Sequence, residues 1–391
     1  MPLCLSALLS LPVAAQWQFD APIALAAAKA GVFHHLDASG RKAIAVADGR
    51  VAIAWEDNRN GTPTCHVALR PDSAAGFREF SFGQGECFEP ALTALDHGRF
   101  ALIWEDAAGM NAALLTERGI SATLNLAAQG SQGTLAYLPG RGLFAAWSGR
   151  DGRWQRIYRA RLTVAGQPTL ADAAQPADPA LPADDQIYPA LAVAGGGIAL
   201  AWEDRRLGHT VIFGSRSDDG TDWTPPLRVS QNPSGSSSGL GRGSGAMRPA
   251  LAAFGARLAA VWLDKRDFLS GYDVYAALSD DGGQHFGPNL KVQDSFGDSI
   301  AQWHAAAAGN DRGDLVIAWD DERDGNADIW LSWRTTDGFA DNLSPPPAHG
   351  PGSQSDPVIT LDDKGTLHLA WIERNAEGHS RLRYARGKPT R

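Results

Sequence analysis

Ala199-Leu200-Ala201-Trp202-Glu203-Asp204 is one of seven similar segments, and their spacing decides the fold. The other six are Ala52-Ile-Ala-Trp55-Glu-Asp, Ala101-Leu-Ile-Trp104-Glu-Asp, Phe144-Ala-Ala-Trp147-Ser-Gly, Ala259-Ala-Val-Trp262-Leu-Asp, Val316-Ile-Ala-Trp319-Asp-Asp and Leu369-Ala-Trp371-Ile-Glu. Successive tryptophans lie 49, 43, 55, 60, 57 and 52 residues apart. That period is close to one four-stranded propeller blade. In four copies an Asp-x-Arg turn follows: Asp57/Arg59, Asp204/Arg206, Asp264/Arg266 and Asp321/Arg323. Residues repeated in this way serve the blade. The Asp is read as capping its turn and the Arg as bridging onward. The tryptophans are read as packing between blades rather than as a sugar track.

Outward from each tryptophan the units parse alike. A short apolar run, often after proline (Pro90, Pro189, Pro249, Pro357), is the innermost strand A. Strand B ends at the tryptophan motif, and strands C and D follow. The last unit ends after its third strand. Gln18-Phe-Asp-Ala-Pro22-Ile-Ala-Leu25 resembles the strand-D segment Asp222-Trp-Thr-Pro-Pro226-Leu-Arg-Val, so residues near 17–25 should complete it. The expectation is an all-β chain forming one seven-bladed β-propeller over residues 16–391, closed by its N-terminal strand. A six-bladed ring is the fallback.

Bulk properties agree. The chain of 391 residues is 44% hydrophobic and rich in Gly (43) and Pro (23), as turn-rich β proteins are. A net charge of −9 without basic runs argues against nucleic acid and anionic membranes as partners. Leu3 to Leu11 is nearly all apolar, and Val13-Ala14-Ala15 precedes Gln16 with small residues. Residues 1–15 read as a signal peptide, giving a secreted or periplasmic protein with no membrane span. Export would leave Cys65 and Cys87, which are expected to form a disulfide, with two buried thiols as the alternative. No cofactor is expected, with a structural Ca²⁺ somewhere in the ring as the alternative. His34-His35 is too sparse for a metal site, and the acidic run Asp320-Asp-Glu-Arg-Asp-Gly lacks the spacing of a Ca²⁺ loop.

Two predicted C–D turns, Ser217-Asp-Asp219-Gly-Thr-Asp-Trp223 and Ser279-Asp-Asp281-Gly-Gly-Gln-His-Phe286, resemble the Asp-box, Ser-x-Asp-x-Gly-x-Thr-Trp, of the sialidase (bacterial neuraminidase repeat) superfamily. That resemblance implies a propeller, and a sialidase-like glycoside hydrolase if the chain is an enzyme. The family opens its first strand A with Arg-Ile-Pro, whose arginine holds the substrate carboxylate. Arg41-Lys42-Ala43 stands there in this chain and retains the arginine alone. The family has six blades, and the count here is seven.

The residue before each strand A should line the channel mouth. Alignment puts Arg41, Glu89, Gln132, Tyr188, Arg248, Trp303 and Asp356 there, with His304 as the substitute in blade six. Arg41 and Arg248 suit a carboxylate or sulfate. Trp303 and Tyr188 suit a sugar face, and Glu89 and Asp356 are acid–base candidates. Counting across the A–B hairpins pairs Tyr188 with Glu203 and Arg41 with Glu56. A tyrosine beside a glutamate resembles the sialidase nucleophile. Tyr188, Glu203 and Asp356 are thus the catalytic candidates. The expected ligand is an acidic glycan or similar small molecule, bound by a monomer. The alternative is a non-catalytic scaffold gripping another exported protein through the long rim connections at 170–187, 230–247 and 343–356. A polysaccharide lyase is a third option, resting on fold analogy.

Overall fold

A computed structural model describes residues 17–71, 76–231, 245–266, 271–294 and 299–390. The segment 1–15 read as a signal peptide and most of the 230–247 connection lie outside the described residues. Seven antiparallel sheets follow one another in chain order. The innermost strands are Ile44–Ala47, Cys87–Ala94, Ser131–Leu138, Gln186–Ala194, Ala246–Phe254, Trp303–Gly309 and Ser353–Leu361. Each touches the next, and the seventh touches the first, so they form a closed ring around a central channel. Among the described residues no helix is long and apolar enough to cross a membrane.

Closure is made by the N-terminal segment. Trp17–Phe19 and Ile23–Ala26 both pair with Ser380–Pro389, the third strand of blade seven. Trp17 is buried there, and its indole N–H donates to the Gly365 carbonyl at 3.0 Å. Joining the two chain ends in one sheet removes the free edges that an open ring would expose.

All seven motif tryptophans are at most 1% exposed. They sit in apolar clusters shared by adjacent blades. Trp104 packs with Ala52, Ala54 and Val67 of blade one, and Trp262 with Ala190, Ala199 and Ala201 of blade four. Alanine, frequent in these strands, lets the blades approach closely enough for the large ring to fill the gap. Burying each indole removes roughly 200 Å² from water, worth about 5 kcal/mol before entropy is counted.

The motif aspartate ties tryptophan and turn together. In blades one, two, four, five and six the indole N–H donates to the Asp two residues on, at 2.8–3.0 Å. Four of these aspartates also accept the backbone N–H of the arginine two residues later. The arginine side chain folds back onto the same carboxylate. Its outward reach differs between blades. Arg206 and Arg323 extend to Asp178 and Asp294 on the connection from the preceding blade. Arg59 and Arg266 bond Glu79 and Asn289 within their own blade.

The turns at Asp219 and Asp281 lie at the face opposite the mouth. Asp219 accepts the N–H groups of Thr221 and Asp222, and Asp281 those of Gln284 and His285. Cys65 and Cys87 are joined as a disulfide between strand C of blade one and strand A of blade two.

Candidate site at the channel mouth

Each strand A carries a bulge opposite its own motif tryptophan. In blade four Ile187 faces Glu203 and Ala190 faces Ala201, so Tyr188 and Pro189 together oppose Trp202. Blades two, three, five, six and seven repeat this register. The residue two places before the pairing resumes is left-handed in every blade: Arg41, Glu89, Gln132, Tyr188, Arg248, His304 and Asp356 have φ between +45° and +58°. Ten non-glycine residues with positive φ occur among the described residues, and these are seven of them. The conformation costs an L residue about 1 kcal/mol or more. Strain repeated at one rank of the ring, on side chains that differ from blade to blade, marks the rank where function is to be sought.

This register settles blade six. His304 occupies the bulge, and Trp303 is the strand residue before it, paired with Asp320. It also corrects two expected pairings. Glu203 lies opposite Ile187 and not Tyr188, and Glu56 lies opposite His35 and not Arg41. The bulge adds a residue that simple counting across the hairpin omits.

The glutamate after the tryptophan has another task. Glu203 accepts the Arg248 backbone N–H at 2.6 Å, and Glu56 accepts that of Glu89 at 2.8 Å. Asp320 accepts that of Asp356 at 3.3 Å. In blade three the position holds Ser148, and Gln132 takes over: its Oε1 accepts the Tyr188 N–H at 2.9 Å and the Ser148 hydroxyl at 2.6 Å. Each of these acceptors satisfies the N–H of a bulge whose next residue is proline, in the following blade. Glu203 and Gln132 are therefore latches between blades.

Five of the eight mouth candidates read from the sequence, His304 included, converge. Arg41, Tyr188, Arg248, Trp303 and His304 line one cavity of about 200 Å³, with Asp37, Met247 and Leu263. Trp303 is 42% exposed and rests against Tyr272, ring centroids 5.3 Å apart. The Arg248 guanidinium lies 3.7 Å from the Tyr188 ring centroid. Glu89, Gln132 and Asp356 belong to the same ring of bulges but not to this cavity wall.

Asp37 was not legible as a site residue. In blade four two residues, 188 and 189, separate the hairpin pairs of Glu203 and Ala201; in blade one seven, 36–42, separate His35 from Ala43. The extra residues cross the channel. The Ser39 hydroxyl donates to the Pro189 carbonyl of blade four, and Gly40 packs on Ala190. Gly40 has φ +63°, and a Cβ there would come within 3.2 Å of the Ala190 Cβ. The crossing places the Asp37 carboxylate against the Arg248 guanidinium at 3.0 and 3.1 Å, and 3.4 Å from Arg41. The two arginines thus do share a carboxylate, and it belongs to the chain itself. Arg41 is largely buried and also donates to the Pro357 carbonyl at 3.0 Å.

Acid–base character divides the mouth. Burial, then the carboxylates of Asp37 and Glu105, pushes Glu89 up to about 8, and its Oε2 is buried without a hydrogen-bond partner. Burial pushes Glu203 and Glu105 up to about 7. Asp356 moves the other way: burial opposes its charge, but His304 and Arg41 outweigh it and lower the pKa. His304 is pulled down by burial and up by Asp320 at 2.8 Å and by Asp356 at 3.4 Å, and the carboxylates prevail. Burial raises the Tyr188 phenol.

Outside the cavity wall, Asp324, Asp328 and His349 hold ligand atoms within 4.8 Å of one another, the one such grouping among the described residues. Asp328 already accepts from the Gly350 N–H at 3.0 Å and faces His349 at 3.1 Å. Three donors are half or fewer of those a Ca²⁺ ion takes.

The sequence matches no protein-family model and no curated protein. Solved structures share the architecture. The polysaccharide lyase Uly1 superposes with a TM-score of 0.57 at 9% identity, covering 90% of each chain. A Dyadobacter fermentans protein of unknown function gives 0.56 at 9%, covering 96% of this chain and 100% of that one. A GH93 α-L-arabinofuranosidase of Fusarium graminearum, in complex with arabinobiose, gives 0.52 at 10%, covering 94% and 97%. At such identities the likeness is one of fold. It supports the propeller that the sialidase resemblance implied, with carbohydrate-active enzymes among its neighbours, and reaches no further into that superfamily.

Proposed function

We propose that this chain is an exported carbohydrate-active propeller that binds a glycan at the channel mouth and hydrolyses a glycosidic bond there. The observation that carries the reading is the convergence of Arg41, Tyr188, Arg248, Trp303 and His304, from four blades, on one cavity. An exposed indole face stacks on a sugar ring, and guanidinium forks grip hydroxyl oxygens. The fold shared with glycan-processing enzymes supports it. The apolar N-terminal stretch and the Cys65–Cys87 disulfide support export.

Hydrolysis needs one carboxyl that keeps its proton and one that does not. Glu89, pushed up to about 8, is the proton donor, and Asp356, held low, is the ionised partner. These two stand in the blades on either side of Arg41. A tyrosine nucleophile of the sialidase type is less well supported, because Tyr188 is raised rather than activated and Glu203 is engaged by Arg248. A lyase would need a neutral base, whereas His304 is held toward its cationic form.

A panel of fluorogenic glycosides, α-L-arabinofuranosides and sialosides included, tests the reading. Turnover should appear with at least one member, and Glu89→Gln should lower kcat by at least about 100-fold while leaving glycan binding in place. Binding without turnover, abolished by Arg248→Ala, would reduce the protein to a lectin-like propeller. Neither binding nor turnover would leave the interaction scaffold.

A further inference from the structure

We propose that Asp37 is a tethered occupant of the anion position in the mouth, so that the glycan taken there is neutral rather than uronic or sialic. This refinement rests on the glycan reading of the same cavity. It starts from the blade-one crossing, which no other blade shows among the described residues. Residues 36–40 are anchored at the far side of the channel by Ser39 on Pro189 and by Gly40 on Ala190. Arg41 closes the turn by donating its N–H to the Ala38 carbonyl at 2.8 Å. Asp37 is thereby fixed between two arginines that otherwise are the mouth's carboxylate clamp.

Every cation in the cavity wall already faces a carboxylate of the chain. Arg248 has Asp37, Arg41 has Asp37, and His304 has Asp320 and Asp356. A carboxylate on an incoming sugar would have to displace Asp37 or be desolvated beside it. A group tethered in place competes at an effective concentration of millimolar or more. Displacement would also strand Asp37 next to Glu89, whose own environment already disfavours a further negative charge. A neutral sugar meets no such barrier. Arg41 retains a buried Nε–H without a partner, a donor that a hydroxyl oxygen satisfies. The half-exposed Trp303 face makes no demand for charge.

The test is calorimetric titration of the intact protein with matched neutral galacto-oligosaccharides and oligogalacturonates at low salt. Wild type should bind the neutral series at least ten-fold more tightly. Asp37→Asn, which keeps the shape and removes the charge, should gain at least ten-fold for the uronate series. Wild-type preference for uronates, or no gain in Asp37→Asn, overturns the inference. The wild-type comparison decides it alone if that variant does not fold. Should no form bind any glycan, the glycan reading fails, and acetate becomes the probe. A melting-temperature rise with acetate in Asp37→Ala but not in wild type upholds the tethered-anion role, whereas equal responses overturn it.

Discussion

Two sets of residues recur once per blade, and they behave in opposite ways. The tryptophan belt keeps its chemistry in all seven blades, with the Asp-x-Arg turn added in four, and its tryptophans and those four aspartates are buried. The ring of left-handed bulge residues keeps its backbone conformation and changes its chemistry: Arg, Glu, Gln, Tyr, Arg, His, Asp. The two face each other across the A–B hairpin, since each bulge opposes the tryptophan of its own blade. A uniform belt therefore holds seven strained positions at one rank, and each position is free to carry a different side chain. The difference teaches where selection for packing ends and selection for a site begins.

The sharpest way to break the comparison is to open the ring. Deleting residues 17–26 removes the pairing with Ser380–Pro389 and the buried Trp17. The cooperative melt should vanish or fall by more than about 10 °C, since a lost Trp alone costs about 3–5 kcal/mol. A melt matching the intact protein would mean that closure lies elsewhere. A smaller effect is expected within the belt. Asp321→Ala strips the acceptor of the Trp319 indole and leaves the Arg323 guanidinium buried beside Asp294 alone among carboxylates. Urea denaturation should show a loss of about 3–5 kcal/mol, as for breaking a buried ion pair. If Asp321→Ala cost no more than an exposed substitution, the belt would not be the scaffold.

The ring should respond in the opposite sense. Glu89 holds its proton to about pH 8 when folded, against 4.5 as its ordinary value. Between those values the folded chain binds more protons than the unfolded one, so this residue erodes stability as pH rises. Glu89→Gln should match wild type near pH 5 and melt a few degrees higher above pH 8. The same substitution should abolish turnover, the pattern of a site that trades stability for function. A destabilised Glu89→Gln at pH 8.5 would place Glu89 in the scaffold instead.

The sequence made the belt legible because its residues contact partners close by. Trp202 and Asp204 are two residues apart, and their hydrogen bond needs only the turn between them. The bulge rank was also legible, through alignment on the tryptophans, although Trp303 and His304 could not be separated until the strand register was seen. What hairpin counting could not supply was the added bulge residue, and with it the proper partners of Glu203 and Glu56.

By itself the sequence pointed to seven blades, the closing segment and six of the seven bulge residues of the rim, because a repeat is a local pattern copied along the chain. Only the tertiary structure decided that residues 36–40 run across the channel, that Asp37 meets Arg248 over 211 positions of sequence, and that the arginines are already neutralised. An insertion shows its length in the sequence. Its destination is set by the ring that the other six blades close around it.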